Sequence, residues 1–133
     1  MKKGIVGNRQ EAFDKYLIKC DVPKYPLAPD EASALVRGAG GRIVLAHPND
    51  PNGTSLYSIT KDLREQTEII EKNMIGLING IECWHSRHDK ATTEHYLDFC
   101  KKRRLLTTGG SDCHQKPVIM GTVEVGETAA EGF

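Results

Sequence analysis

Arg42-Ile43-Val44-Leu45-Ala46 is a short, nearly continuous apolar run closed by His47-Pro48. It is too short for a helix, and its lack of polar alternation is how a strand buried on both faces reads. Before it, Gly38, Gly40 and Gly41 stop a helix that begins at Pro29 and carries Ala32, Leu35 and Val36 on an apolar face. After it, a loop from Asn49 to Tyr57, rich in Pro, Asn, Gly and Ser, leads into a helix from about Ile59 to Asn73. Leu63, Thr67, Ile70 and Met74 share one side of that helix.

The pattern returns twice. Gly80 opens Ile81-Glu82-Cys83-Trp84, which ends at His85 with Arg87 and His88 just beyond, and a helix follows from about Lys90 to Lys102. Tyr96, Phe99 and Cys100 face inward from that helix, and the basic run Lys101 to Arg104 opposes the dipole at its C-terminus. Leu105-Leu106-Thr107-Thr108 then runs into Gly109-Gly110-Ser111-Asp112-Cys113-His114, and Gly121 to Val125 reads as a fourth strand. Upstream, Asn8 caps a short helix through Tyr16 with Glu11 at the capping-box position, and Pro23, Pro26 and Pro29 keep the next stretch extended. The expectation is an α/β fold with about three to four parallel strands and flanking helices, one domain over residues 1–133, with a frayed tail at 126–133.

Composition sets the outer limits. Eighteen basic residues balance eighteen acidic ones, which argues against bulk attraction to nucleic acid or an anionic membrane. Apolar residues make up 38%, and no run approaches the ~20 residues of a membrane helix. Cys20, Cys83, Cys100 and Cys113 form no C-x-x-C pair, so a reducing cytoplasm is expected, with thiols serving as small apolar residues.

Each of the three strands ends in a histidine or a His/Asp group. Loops after parallel strands converge on one face, which brings His47, His85 or His88, and Asp112 with His114 to one rim. His47 reads either as a histidine satisfied at a strand end or as a rigid ligand whose exit Pro48 fixes. Asp112 and His114, at i and i+2, can point to one side of an extended segment, and carboxylate plus imidazole suits Zn, Mn or Fe. The alternative is a polar turn with Asp112 capping nearby amides. His85 and His88 could bind metal, bind an anion or be solvated, and Arg87 could fork onto a phosphate. Asp89 could cap the following helix. Glu82 either points to the site or pairs with a lysine, His95 reads as a surface residue, and Trp84 as packing. Lys116 could meet an anionic substrate or be an ordinary exposed lysine.

Gln10-Glu11-Ala12-Phe13-Asp14-Lys15-Tyr16-Leu17, Ala39 through Pro48, Gly80-Ile81-Glu82 with Ser86-Arg87-His88, and Thr108 through His114 together resemble the PHP (polymerase and histidinol phosphatase) family. The closest likeness is to its stand-alone phosphoesterases, which act on nucleoside bisphosphates or short RNA ends. The specific pair is Leu-Ala-His-Pro and Gly-Gly-Ser-Asp-x-His, about 65 residues apart. The resemblance implies part of a distorted (β/α)7 barrel with two or three divalent metal ions (Mn, Zn, Fe or Mg). It implies His47, Asp112 and His114 as metal ligands, and Asp112 and His88 as catalytic groups. Arg87, His88 and Lys116 would bind substrate, a phosphorylated small molecule or nucleotide. The family's H-x-H and Asp-His motifs are absent. A truncated domain is therefore expected, with weak metal binding, little activity alone, and an unpaired sheet edge through which copies could associate. A non-catalytic remnant of the fold and an amidohydrolase-type enzyme are the other readings.

Overall fold

Residues 4–114 and 117–130 are described by the structure, a computed structural model. The first element, α1 (Arg9–Ala12), starts where Asn8 accepts a hydrogen bond from the Glu11 backbone N–H at 2.8 Å. The Glu11 carboxylate reaches back to the Gly7 N–H at 2.6 Å, one residue before the position a capping box would use. The chain continues through a π turn (Phe13–Leu17) and a 3-10 turn (Ile18–Cys20) into an extended segment.

Helix α2 (Pro29–Gly38) has its proline in the first turn, where no N–H is missed. Of the face expected from Ala32, Leu35 and Val36, Ala32 and Val36 are half-buried, and the expectation is corrected at Leu35. Leu35 is exposed, and the buried residue is Ser33, whose hydroxyl donates to the Leu77 carbonyl at 2.7 Å. A polar tether thus accompanies the half-buried Ala32 and Val36.

Three parallel strands follow in the order β1 (Val44–Leu45), β2 (Gly80–His85), β3 (Leu106–Gly110). Strand β2 lies between the other two, so each of these has one unpaired side among the described residues. That position explains why β1 is short and only half-buried instead of buried on both faces. Register runs from Val44 opposite Gly80 and Gly80 opposite Leu106 to His85 opposite Gly110, with an irregularity between Glu82 and Trp84. Any Cβ at Gly80 would meet the Leu106 carbonyl at 2.7 Å, so close approach of β3 requires a glycine there.

The crossover helices are α3 (Leu63–Asn73), capped by Asp62, and α4 (Lys90–Arg103), capped by Asp89 on the Thr92 N–H. Ile70, Ile81, Cys83, Tyr96 and Cys100 are fully buried between these helices and β2. Tyr96 donates its hydroxyl to Gln66 Oε1, so the buried phenol and the buried amide satisfy each other. The expected fourth strand does not form. Gly121 has φ +78°, and Val125 packs across Gly109 beside Trp84 instead of pairing with β3. A 3-10 turn at Glu127–Ala130 follows.

Candidate metal centre

The C-terminal ends of the three strands supply the site. The Asp50 carboxylate, the His85 ring and the Asp112 carboxylate each offer a ligand atom, and these atoms lie within 4.8 Å of one another. His85 is the last residue of β2, and Asp112 lies two residues past β3. Asp50 belongs to the tight turn after β1, in which its N–H bonds to the His47 carbonyl at 3.1 Å. It is 1% exposed, and an added Cβ at Gly53 would meet Asp50 Oδ2 at 3.0 Å and His47 Cε1 at 3.6 Å. Gly53 thus lets the loop fold back over the carboxylate.

Backbone conformation bears on the same rim. Among the described residues three non-glycines have positive φ, and His47 (+27°) and Asp112 (+50°) are two of them. Left-handed backbone at non-glycine residues costs on the order of 1–3 kcal/mol each and concentrates at functional sites. In both cases it turns the chain sharply where a strand leaves the sheet. His47 is held there by its N–H, which donates to Glu82 Oε2 at 2.8 Å. Glu82 therefore points to the site, and Gly110 clears room for it: a Cβ there would lie 3.2 Å from Glu82 Oε1.

Arg87 threads the cluster. Its Nε donates to Asp50 Oδ1 at 2.6 Å, and its Nη2 donates to Asp50 Oδ2 at 2.5 Å and to Asp112 Oδ2 at 2.8 Å. This fork holds the Asp50 carboxyl well below the usual carboxylate range, at about 2, and holds the guanidinium firmly protonated.

The histidines form a row: ring centroids lie 5.3 Å apart for His47 and His85, and 5.2 Å apart for His85 and His88. Burial pushes the pKa of both His85 and His88 down, favouring neutral rings. His88 Nδ1 lies 3.0 Å from the Cys83 carbonyl, which requires a hydrogen on Nδ1 and leaves Nε2 as a buried lone pair. At His85 the roles reverse. Nδ1 accepts from the Arg87 N–H at 3.3 Å, so Nε2 carries the hydrogen and looks toward Asp112 Oδ2, 3.9 Å away. Buried nitrogens without a hydrogen-bond partner include His47 Nδ1, His85 Nε2 and His88 Nε2. Two carboxylates beside three such imidazoles are a donor set that fits a divalent metal ion.

Of the residues singled out in the sequence, the structure brings His47, Arg87, His88 and Asp112 to one rim. His114 lies at the edge of the cluster: its side chain is 82% exposed, and its Nδ1 lies 3.3 Å from Asp112 Oδ1 and 3.0 Å from the Asp112 carbonyl. Lys116 lies outside the described residues. His85 was one of two open alternatives and proves to be a member. Asp50 was missed, and the one signal that could have found it is its place three residues after His47. His95, expected on the surface, is half-buried against Tyr96.

No family model and no curated protein matches this chain. Among solved structures, it is similar to a protein of Bifidobacterium adolescentis provisionally assigned as a metal-dependent phosphoesterase. The TM-score is 0.60 at 28% identity, over 96% of this chain and 44% of that one. The chain therefore spans less than half the length of that protein. Its α/β fold is that of a phosphoesterase-like neighbour, and the Asp-His-Asp cluster is consistent with use of a divalent metal. No helix among the described residues is long and apolar enough to cross a membrane.

Proposed function

We propose that this chain carries part of a metal-dependent phosphoesterase site, with Asp50, His85 and Asp112 as metal ligands. The observation that carries the reading is the convergence of these three groups where β1, β2 and β3 end. The Bifidobacterium neighbour, matched along nearly the whole chain, supports the reading. The likeness to PHP phosphoesterases belongs to the proposal, and so do its distorted (β/α)7 barrel and a phosphorylated small molecule, nucleotide or nucleic-acid end as substrate. His47 is a further ligand in it, since its buried Nδ1 has no hydrogen-bond partner and its ring neighbours His85. His114, whose Nδ1 lies 3.3 Å from Asp112 Oδ1, remains a proposed ligand.

When bound, the metal supplies a Lewis acid that lowers the pKa of water and polarises a phosphoryl oxygen. The chain's own residues do the rest. His88, neutral and with Nε2 bare, can accept a proton from a nucleophile or pass one to a leaving oxygen. His88, with Trp84, Ser86, Lys90 and Thr93, borders an open cleft of about 500 Å³, room for the organic part of a phosphate ester. Lys116 remains a proposed anion contact, and pairing of copies through β1 or β3 a proposed association.

The test is metal content by elemental mass spectrometry, paired with hydrolysis of p-nitrophenyl phosphate, on wild type, Asp50→Asn and Asp112→Asn. Bound metal in the wild type and its loss in both variants are expected. Equal metal in all three would sink the reading.

A further inference from the structure

Arg87 touches every member of the Asp50–His85–Asp112 cluster. Its guanidinium takes both oxygens of Asp50 and one of Asp112, and its backbone N–H takes His85 Nδ1. This is more than an ion pair near a site. Asp50 Oδ1 is also engaged by the Asn52 N–H at 2.9 Å, so little of that carboxylate is left uncommitted. The Arg87 backbone N–H sets a tautomer as well: because it donates to His85 Nδ1, the hydrogen of neutral His85 sits on Nε2, the atom that would ligate a metal.

We propose that Arg87 is the resident cation of the cluster, and that it and a divalent metal ion are mutually exclusive occupants. The inference rests on the metal-dependent reading above. Asp50 and Asp112 would hold a metal through their carboxylate oxygens. Arg87 Nη2 already lies 2.5 Å from Asp50 Oδ2 and 2.8 Å from Asp112 Oδ2. Two cations would then share one oxygen pair at a carboxylate that is 1% exposed, where water screens them poorly. The metal also needs the His85 Nε2 lone pair, which moves the hydrogen to Nδ1 and sets it against the Arg87 N–H. Side-chain and backbone contacts of Arg87 are therefore lost together when metal enters. Arg87 keeps a buried carboxylate neutralised in the metal-free protein, and the same contact weakens the site for metal.

Zn2+ titration by calorimetry on chelator-stripped protein, wild type against Arg87→Met, tests the proposal. The variant is expected to bind Zn2+ about tenfold more tightly, since the competing cation is gone. Its metal-free form is expected to melt at lower temperature, since Asp50 is left unpaired. Weaker binding in Arg87→Met overturns the proposal and leaves the metal reading standing, because it makes Arg87 a residue that holds the ligands in place. Should the variant not fold, the wild type decides alone: its Arg87 Nε–H resonance in a 15N spectrum is expected to shift as Zn2+ binds. Stoichiometric Zn2+ with that resonance unmoved overturns the exclusion. Failure of both proteins to bind Zn2+ overturns the metal reading and this inference with it.

Discussion

The stretch from Gly4 to Leu27 and the unit from Gly80 to Arg103 are both rich in apolar side chains, yet only one has a core. In the first, Phe13, Tyr16, Leu17, Ile18, Val22 and Tyr25 are all at least half exposed. In the second, Ile81, Cys83, Tyr96 and Cys100 have no exposed surface. Local signals are honoured in both: Asn8 caps α1 as Asp89 caps α4. The difference is tertiary. Helix α4 crosses back onto a strand that has a neighbour on each side, whereas the turns after α1 lie on no sheet within the described chain. A cap and a periodic stripe start a helix, but burial has to come from a partner surface.

Three experiments can break or sharpen this contrast. The largest effect is expected at the centre of the packed unit: Tyr96→Ala should cost about 3–5 kcal/mol by urea denaturation, from lost volume and an orphaned Gln66 amide. A loss no larger than that of a surface residue would mean the unit is not the core. Next comes the rim of the same unit. Asp50 ionises at about 2 in the folded chain against an ordinary 3.8. Its pairing with Arg87 is therefore fully present above about pH 4 and is lost as pH falls through about 2, a contribution of about 2 kcal/mol. Stability measured against pH should show that fall in the wild type and lose it in Arg87→Met. The smallest effect belongs to the N-terminal stretch, where Phe13→Ala and Leu17→Ala should each change stability by less than about 0.5 kcal/mol. A cost of several kcal/mol at either would show that this stretch is packed in solution, and the contrast would collapse.

How much was legible follows the same divide. Strands β1, β2 and β3 and the helices between them could be read because an apolar run ending in a polar residue is a one-dimensional signal. His85 and Asp112 were visible as such endings. Asp50 was not, since its place three residues after His47 was the one signal, and Asn49-Asp50-Pro51-Asn52-Gly53 reads equally as a turn until the loop closes over His47. Arg87 was read as a reagent for substrate phosphate, and in the structure it faces inward to two carboxylates. Leu35 misled for the opposite reason. Its spacing predicts a buried position, but it is exposed, while Ser33 is buried with its hydroxyl on the Leu77 carbonyl. Charge pairing and hydrogen bonding across 25 to 44 residues leave no periodic trace in the chain.

The Cys83 and Cys100 thiols lie 3.8 Å apart in the core, and their mutual contact and burial push the Cys83 pKa far up. Cys20 and Cys113 are exposed. The chain therefore carries its own stopwatch for breathing motions. An alkylating reagent should label the outer pair at once and the inner pair only in molecules whose β2–α4 contact has opened, so the lag between the two, read by mass, times how often that contact gives way.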